Sequence, residues 1–138
     1  MLVKEYWEQA ERLRRRINRK INEIHVLRQR AEGMNGSGSN DMPRSSSPDR
    51  CKMEVTVFKI MALEQEVTEI QAEYDALLND MEQRISSIDD ADERDLLIKR
   101  YLEFKTWATI AAEFGYSEQS IYRLHARAVK KLRVRESS

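Results

Sequence analysis

The chain has one cysteine, Cys51, in 138 residues. A single thiol closes no intrachain disulfide and builds no cysteine-rich zinc site, and a reducing compartment suits it. Glycine and proline are almost as scarce, with four and two residues; three of those glycines and both prolines fall within 33–48. The rest of the chain is therefore nearly free of breakers, which favours long solvated helices over sheet. No segment approaches the roughly 18 uninterrupted apolar residues of a membrane span. The opening MLVKEYWEQAERLRRR contains no apolar run of signal-peptide length. The expectation is a soluble cytoplasmic protein without a membrane partner. The chemistry of catalysis is missing as well. There is no Gly-rich phosphate loop, no nucleophile with a matching base and no carboxylate pair in a catalytic context. His25 and His125 are too few and too far apart for a metal site. Neither an enzyme nor a cofactor- or metal-binding protein is expected.

Net charge is also absent, since 24 basic residues balance 24 acidic ones. The charge is unevenly distributed, however. Residues 1–32 hold nine basic and five acidic side chains, residues 33–79 four and eight, residues 80–105 five and eight, and residues 106–138 six and three. A basic C-terminal module behind an acidic middle suits a nucleic-acid reader attached to a protein-binding arm.

Residues 1–32 read as one amphipathic helix. Leu2, Tyr6, Leu13, Ile17, Ile21, Ile24, Leu27 and Ala31 recur mostly three or four apart. The basic run Arg12, Arg14, Arg15, Arg16, Arg19, Lys20 is read as its solvated face. Residues 33–48, rich in Gly, Ser, Asn and Pro, read as a flexible linker. Ser47 is the expected N-cap and Pro48 the first residue of a second long helix. That helix, over residues 49–88, carries a heptad seam: Ile60, Leu63, Val67, Ile70, Tyr74, Leu77 and Met81. Glu64, Glu66, Glu69, Glu73 and Asp75 give it an acidic flank that complements the basic first helix. An antiparallel hairpin within one chain uses both seams most simply. A parallel pair, or a coiled-coil homodimer between chains, satisfies them too.

The third part, residues 89–138, is predicted to be a three-helix helix-turn-helix domain, so the fold class is all-α. Asp90 and Glu93 have the spacing of a capping box ahead of a helix that starts at Asp92. Leu96, Leu97, Tyr101 and Leu102 form one wall of the core. Thr106 caps the next helix, and Trp107 closes the base of the core. In WATIAAEFGYSEQSIYRL, Ile110, Ala111 and Phe114 share one helix face. Gly115 follows where a left-handed residue is needed. Ser117 caps the second helix of the motif, whose inner face carries Ile121, Leu124 and Ala128. Its outer face presents Glu118, Gln119, Tyr122, Arg123, His125 and Arg127. Gln pairs bidentately with adenine and Arg with guanine, and Glu accepts from cytosine. Gln119 and Arg123 therefore suit base edges, Tyr122 is placed for a phosphate, and Glu118 either accepts from a cytosine or opposes the positive end of the helix dipole. Phosphate contact is assigned to Ser117, Ser120, Arg127, Lys130 and Lys131, with the tail Arg133-Val134-Arg135 adding charge.

The order DERDLLIKRYLEFKTWATIAAEFGYSEQSIYRLHARAVKKL, within residues 89–134, resembles region four of bacterial RNA polymerase sigma factors. More loosely, with RRRINRKINEIHVLRQRA and the Ser-rich break, most of the chain resembles small phage-encoded, sigma-like regulators of the ArpU/RinA type. The resemblance implies a regulator in the cytoplasm of a bacterial host and, carried over by position, assigns base reading to Glu118, Gln119, Tyr122 and Arg123. Its partners would be double-stranded promoter DNA and, through the arm, host RNA polymerase or a second protomer. Sigma factors commonly carry basic residues where this chain has Glu118, Ser120 and Tyr122, so a different target sequence is implied. No counterpart of the promoter-melting sigma domain is present, which implies an accessory regulator rather than a full sigma factor. Two other roles share the pattern: a packaging protein of the terminase small-subunit type, and a polymerase adaptor with little affinity for DNA.

Overall fold

The computed structural model describes residues 2–36 and 47–137. They form five helices: α1 (Val3–Gly36), α2 (Ser47–Ser86), α3 (Ala91–Tyr101), α4 (Trp107–Phe114) and α5 (Glu118–Ser137). The described residues are all-helical, as expected. Both long helices run further than the sequence signals allow. α1 continues through Gly33 to Gly36, and α2 begins at Ser47 itself rather than after it. Adding a residue to an existing helix gains one hydrogen bond per residue fixed. A Gly in that position costs only about 1 kcal/mol relative to Ala. The predicted linker is thus shorter than 33–48, and its remaining part, 37–46, lies outside the described residues.

The seams also differ in detail. On α1 a row of buried or half-buried positions runs through Val3, Tyr6, Ala10, Leu13, Ile17, Lys20, Ile24, Leu27 and Ala31, in unbroken steps of three and four. Leu2 and Ile21, assigned to that face by sequence, are 48 % and 49 % exposed. The seam is read through small Ala10 and charged Lys20, which a search for large apolar residues passes over. The α2 seam follows the prediction and extends N-terminally through Thr56, which is buried and donates its hydroxyl to the Lys52 carbonyl at 2.9 Å.

The chain divides into two compact units, Arg12–Glu73 and Met1–Glu11 with Tyr74–Ser138. The first is an antiparallel helical pair. Lys20 Nζ meets Glu66 at 2.8 Å, and Arg28 meets Glu64 at 2.5 Å, so position falls along α2 as it rises along α1. Ile17, Ile24, Ile60 and Ile70 are buried within this one chain. Within this chain the two seams therefore pair as an antiparallel hairpin. A polar residue inside a coiled-coil seam fixes register, and Lys20, held by Glu66, sits at such a position.

The second unit joins the C-terminal helices to the start of α1 and the end of α2. It has two apolar clusters. Leu96, Ile110, Ala111, Ile121 and Leu124 form the core of the α4–α5 pair, with Trp107 and Phe114 against it. Val3, Tyr6, Met81, Ile85, Ile88, Leu97, Tyr101, Ala128, Val129 and Leu132 form the other. Helices α3 and α5 contribute to both. Leu96 thus faces the helix-turn-helix as predicted, whereas Leu97, Tyr101 and Leu102 turn to the second cluster. Each fully buried Leu or Ile contributes about 1.5–3 kcal/mol.

Candidate nucleic-acid interface

The turn between α4 and α5 has the geometry its residues prescribe. Gly115 adopts φ 73°, ψ 26°, a left-handed conformation, which costs any residue with a Cβ about 1–2 kcal/mol. The Tyr116 N–H then donates to the Ala111 carbonyl at 3.0 Å and closes the end of α4. At the start of α5, the Ser120 N–H donates to Ser117 Oγ at 3.1 Å. The Thr109 N–H donates to Thr106 Oγ1 at 3.2 Å at the start of α4. At α3 the Glu93 N–H donates to Asp90 Oδ1 at 3.0 Å. That bond lowers the Asp90 pKa, with help from Lys131 and Arg127 nearby. Only half of the predicted capping box forms, because the Glu93 carboxylate is turned to Lys131 Nζ at 2.5 Å.

With its start fixed, α5 divides cleanly. Ile121, Leu124, Ala128 and Leu132 are buried. Glu118, Gln119, Ser120, Tyr122, Arg123, Arg127 and Lys130 are exposed. Glu118 with Tyr122, and Gln119 with Arg123, stand four residues apart in adjacent rows of one face, so all four assigned readers are brought together at the N-terminal end of the helix. Ser117 is exposed beside them but committed to capping. Lys131 is half-exposed, and its ammonium is engaged with the buried Glu93. The side chains of Arg133, Val134 and Arg135 lie outside the described residues.

His125 departs from its predicted place on the outer face. Its Nε2 lies 2.6 Å from the Tyr101 hydroxyl, and its ring packs edge-on against Trp107 at 4.7 Å. Burial, together with the Arg100 charge, lowers its pKa to about 4. Burial also raises Tyr101 to about 12. A neutral hydroxyl and a neutral imidazole therefore share this hydrogen bond. An unfolded histidine titrates near pH 6.5, so below that pH the unfolded chain takes up a proton that the folded chain refuses. Stability from His125 is thus complete above pH 6.5 and is lost as pH falls toward about 4. Chemical denaturation at stepped pH values is expected to show this slope in the native chain and a shallower one in His125→Phe. Parallel slopes would show that His125 is not held neutral.

The surroundings of His125 extend beyond any residue singled out in the sequence. The Arg100 guanidinium lies 4.2 Å from the centroids of both Trp7 and Trp107, and its Nη1 donates to the Lys105 carbonyl at 2.9 Å. Trp107 in turn meets the Tyr122 ring at 5.4 Å. Phe104, in a left-handed conformation with φ 55°, places its ring 5.3 Å from Trp7. A stack therefore runs from the first turns of α1 to an assigned base reader. Tyr101, Trp107 and Tyr122 are assigned from sequence, whereas Trp7, Arg100 and Phe104 carry no signal there. On the other side of the motif, Glu113 is clamped by Lys99 at 2.8 Å and Lys105 at 2.9 Å. Those hydrogen bonds hold the Glu113 carboxyl below its ordinary pKa, and they tie α4 to α3 at an exposed site.

This geometry is that of an α3–α4–α5 helix-turn-helix with its second motif helix offered to solvent. Residues 90–134 match the family Sigma-70, region 4. The C-terminal part of the chain is thus a sigma region 4-like helix-turn-helix domain. No match was found among curated proteins or among solved structures. Among the described residues, no helix is long and apolar enough to cross a membrane.

Proposed function

We propose that the protein is a sequence-specific DNA-binding transcriptional regulator of a phage or prophage, acting in the cytoplasm of the bacterial host and not as an enzyme. Helix α5 enters the major groove with Gln119 and Arg123 reading bases. Glu118 and Tyr122 set context, and Ser120, Arg127 and Lys130 meet phosphates. The observation that carries this reading is the row of exposed Glu118, Gln119, Tyr122 and Arg123 on the first turns of a helix capped by Ser117. Residues near the N-terminus of a recognition helix are those that reach base edges in helix-turn-helix proteins. The arm supplies the contact with RNA polymerase or a second protomer. Its seams are covered within the chain, so that contact uses the outer face of α2, where Val55, Val57, Phe58 and Met61 are exposed.

The test is fluorescence anisotropy on the promoter upstream of the protein's own coding sequence and on a scrambled duplex. Gln119→Ala and Arg123→Ala, made singly, are each expected to lose about 1–3 kcal/mol of promoter binding. Binding to the scrambled duplex should barely change. Unchanged promoter affinity in both variants would remove the base-reading assignment. Equal, steeply salt-sensitive binding of the native chain to both duplexes would leave phosphate contacts alone.

A further inference from the structure

The segment Arg12–Lys20, RLRRRINRK, holds six cations and no carboxylate. Lys20 is paired with Glu66, and Arg14 is half-buried with interactions of its own. Arg12, Arg15, Arg16 and Arg19 remain. All four are exposed, and none is in an ion pair among the described residues. The carboxylates of Glu64 and Glu66 on α2 are held instead by Arg28 and Lys20. Arg12, Arg15 and Arg19 are three and four apart with Arg16 alongside, so they form one row on the helix. Leu13 and Ile17 are buried on the opposite side. Seven residues of helix at about 1.5 Å each place these four charges within about 10 Å.

Like charges held so close repel one another, and a polyanion relieves that repulsion. Two classes of polyanion fit, an acidic protein segment and a nucleic acid. Protein interfaces have an apolar centre inside a polar rim. Here every exposed side chain from 12 to 20 is Arg or Asn. Duplex DNA carries one phosphate charge per roughly 1.7 Å of its axis, so a stripe of this length faces several. The planar guanidinium fork matches phosphate oxygens in pairs.

We propose that Arg12, Arg15, Arg16 and Arg19 form a second, sequence-independent contact with the backbone of duplex DNA. This contact rests on the DNA-binding reading of the chain and adds affinity without adding discrimination. The test uses the full chain carrying Arg12→Gln, Arg15→Gln, Arg16→Gln and Arg19→Gln together, on the promoter and scrambled duplexes across a salt series. Gln matches Arg closely in helix propensity, so α1 is retained. The dependence of log K on log salt is expected to become shallower by about two to three, equally on both duplexes, with the promoter preference intact. The corresponding fourfold Arg-to-Lys chain keeps the charge and is expected to keep the slope. Should the fourfold Gln chain not fold, Arg15→Gln alone carries the test with an expected decrease of about one.

An unchanged slope in the Gln chains overturns the proposal. If those chains also lose binding to an acidic protein, that protein is the occupant instead. A native chain with promoter preference and a slope indifferent to these arginines removes the stripe and leaves the proposed function standing. A native chain without promoter preference, whose slope still depends on them, does the reverse.

Discussion

Tyr6→Ala is expected to destabilise the C-terminal unit by about 3–5 kcal/mol, the range for truncating a large buried aromatic. Tyr6 is 1 % exposed and belongs to the same cluster as Leu97, Val129 and Leu132. Its ring meets Tyr101 edge-on at 6.2 Å, and its hydroxyl donates to the Tyr101 carbonyl at 2.5 Å. That carbonyl belongs to the last residue of α3 and has no partner further along the helix. Tyr6 therefore caps α3 from 95 residues away. Tyr6→Phe separates the two contributions: it keeps the ring and leaves a buried carbonyl unsatisfied, a loss of about 1–3 kcal/mol. Urea denaturation followed by circular dichroism measures both. A Tyr6→Ala chain as stable as the native one would mean that the first turns of α1 are not docked on this unit.

Arg100→Ala is expected to cost about 2–4 kcal/mol and to weaken promoter discrimination as well. Each cation–π contact contributes about 0.5–2 kcal/mol when partly desolvated, and a charged hydrogen bond about 1.5–3 kcal/mol. The sum is discounted because contacts within one cluster are not additive. Burial lowers the Arg100 pKa, and the guanidinium remains charged at any ordinary pH. Arg100→Lys should recover only part of the loss, since a compact ammonium cannot lie flat between two indoles. The effect on DNA follows from Trp107, which is backed by Arg100 and touches both Tyr122 and His125. Removing the Arg100 charge also lets His125 titrate closer to its ordinary value, which NMR of the imidazole would detect. If Arg100→Ala and Arg100→Lys both match the native chain in stability, the sandwich contributes nothing.

Much of the C-terminal motif was legible because local signals agree there. Thr106, Ser117 and Asp90 cap helices since each has a side-chain oxygen within reach of the N–H three residues on. Gly115 ends α4 since only Gly adopts a left-handed conformation at little cost. The outer face of α5 was legible as far as Arg123 and misread at His125. Sequence spacing places a residue on a face but does not say whether another element covers that face. The cover here comes from Trp107 and Tyr101. The phosphate role of Lys131 was likewise assigned on charge alone, without its partner Glu93.

The sequence by itself determined that this chain is helical, that its second long helix carries a heptad seam, and that a capped helix near the C-terminus presents Glu118, Gln119, Tyr122 and Arg123. Those properties depend on residues within four positions of one another, which a linear reading captures. Only the tertiary structure decided that the two seams bury each other within one chain. It alone decided that α3 and α5 divide their apolar residues between two clusters. It alone brought Tyr6 and Trp7 against Tyr101 and Arg100. The physical reason is that burial and stacking are set by which surfaces meet, and residues more than ninety positions apart leave no periodic trace of their meeting.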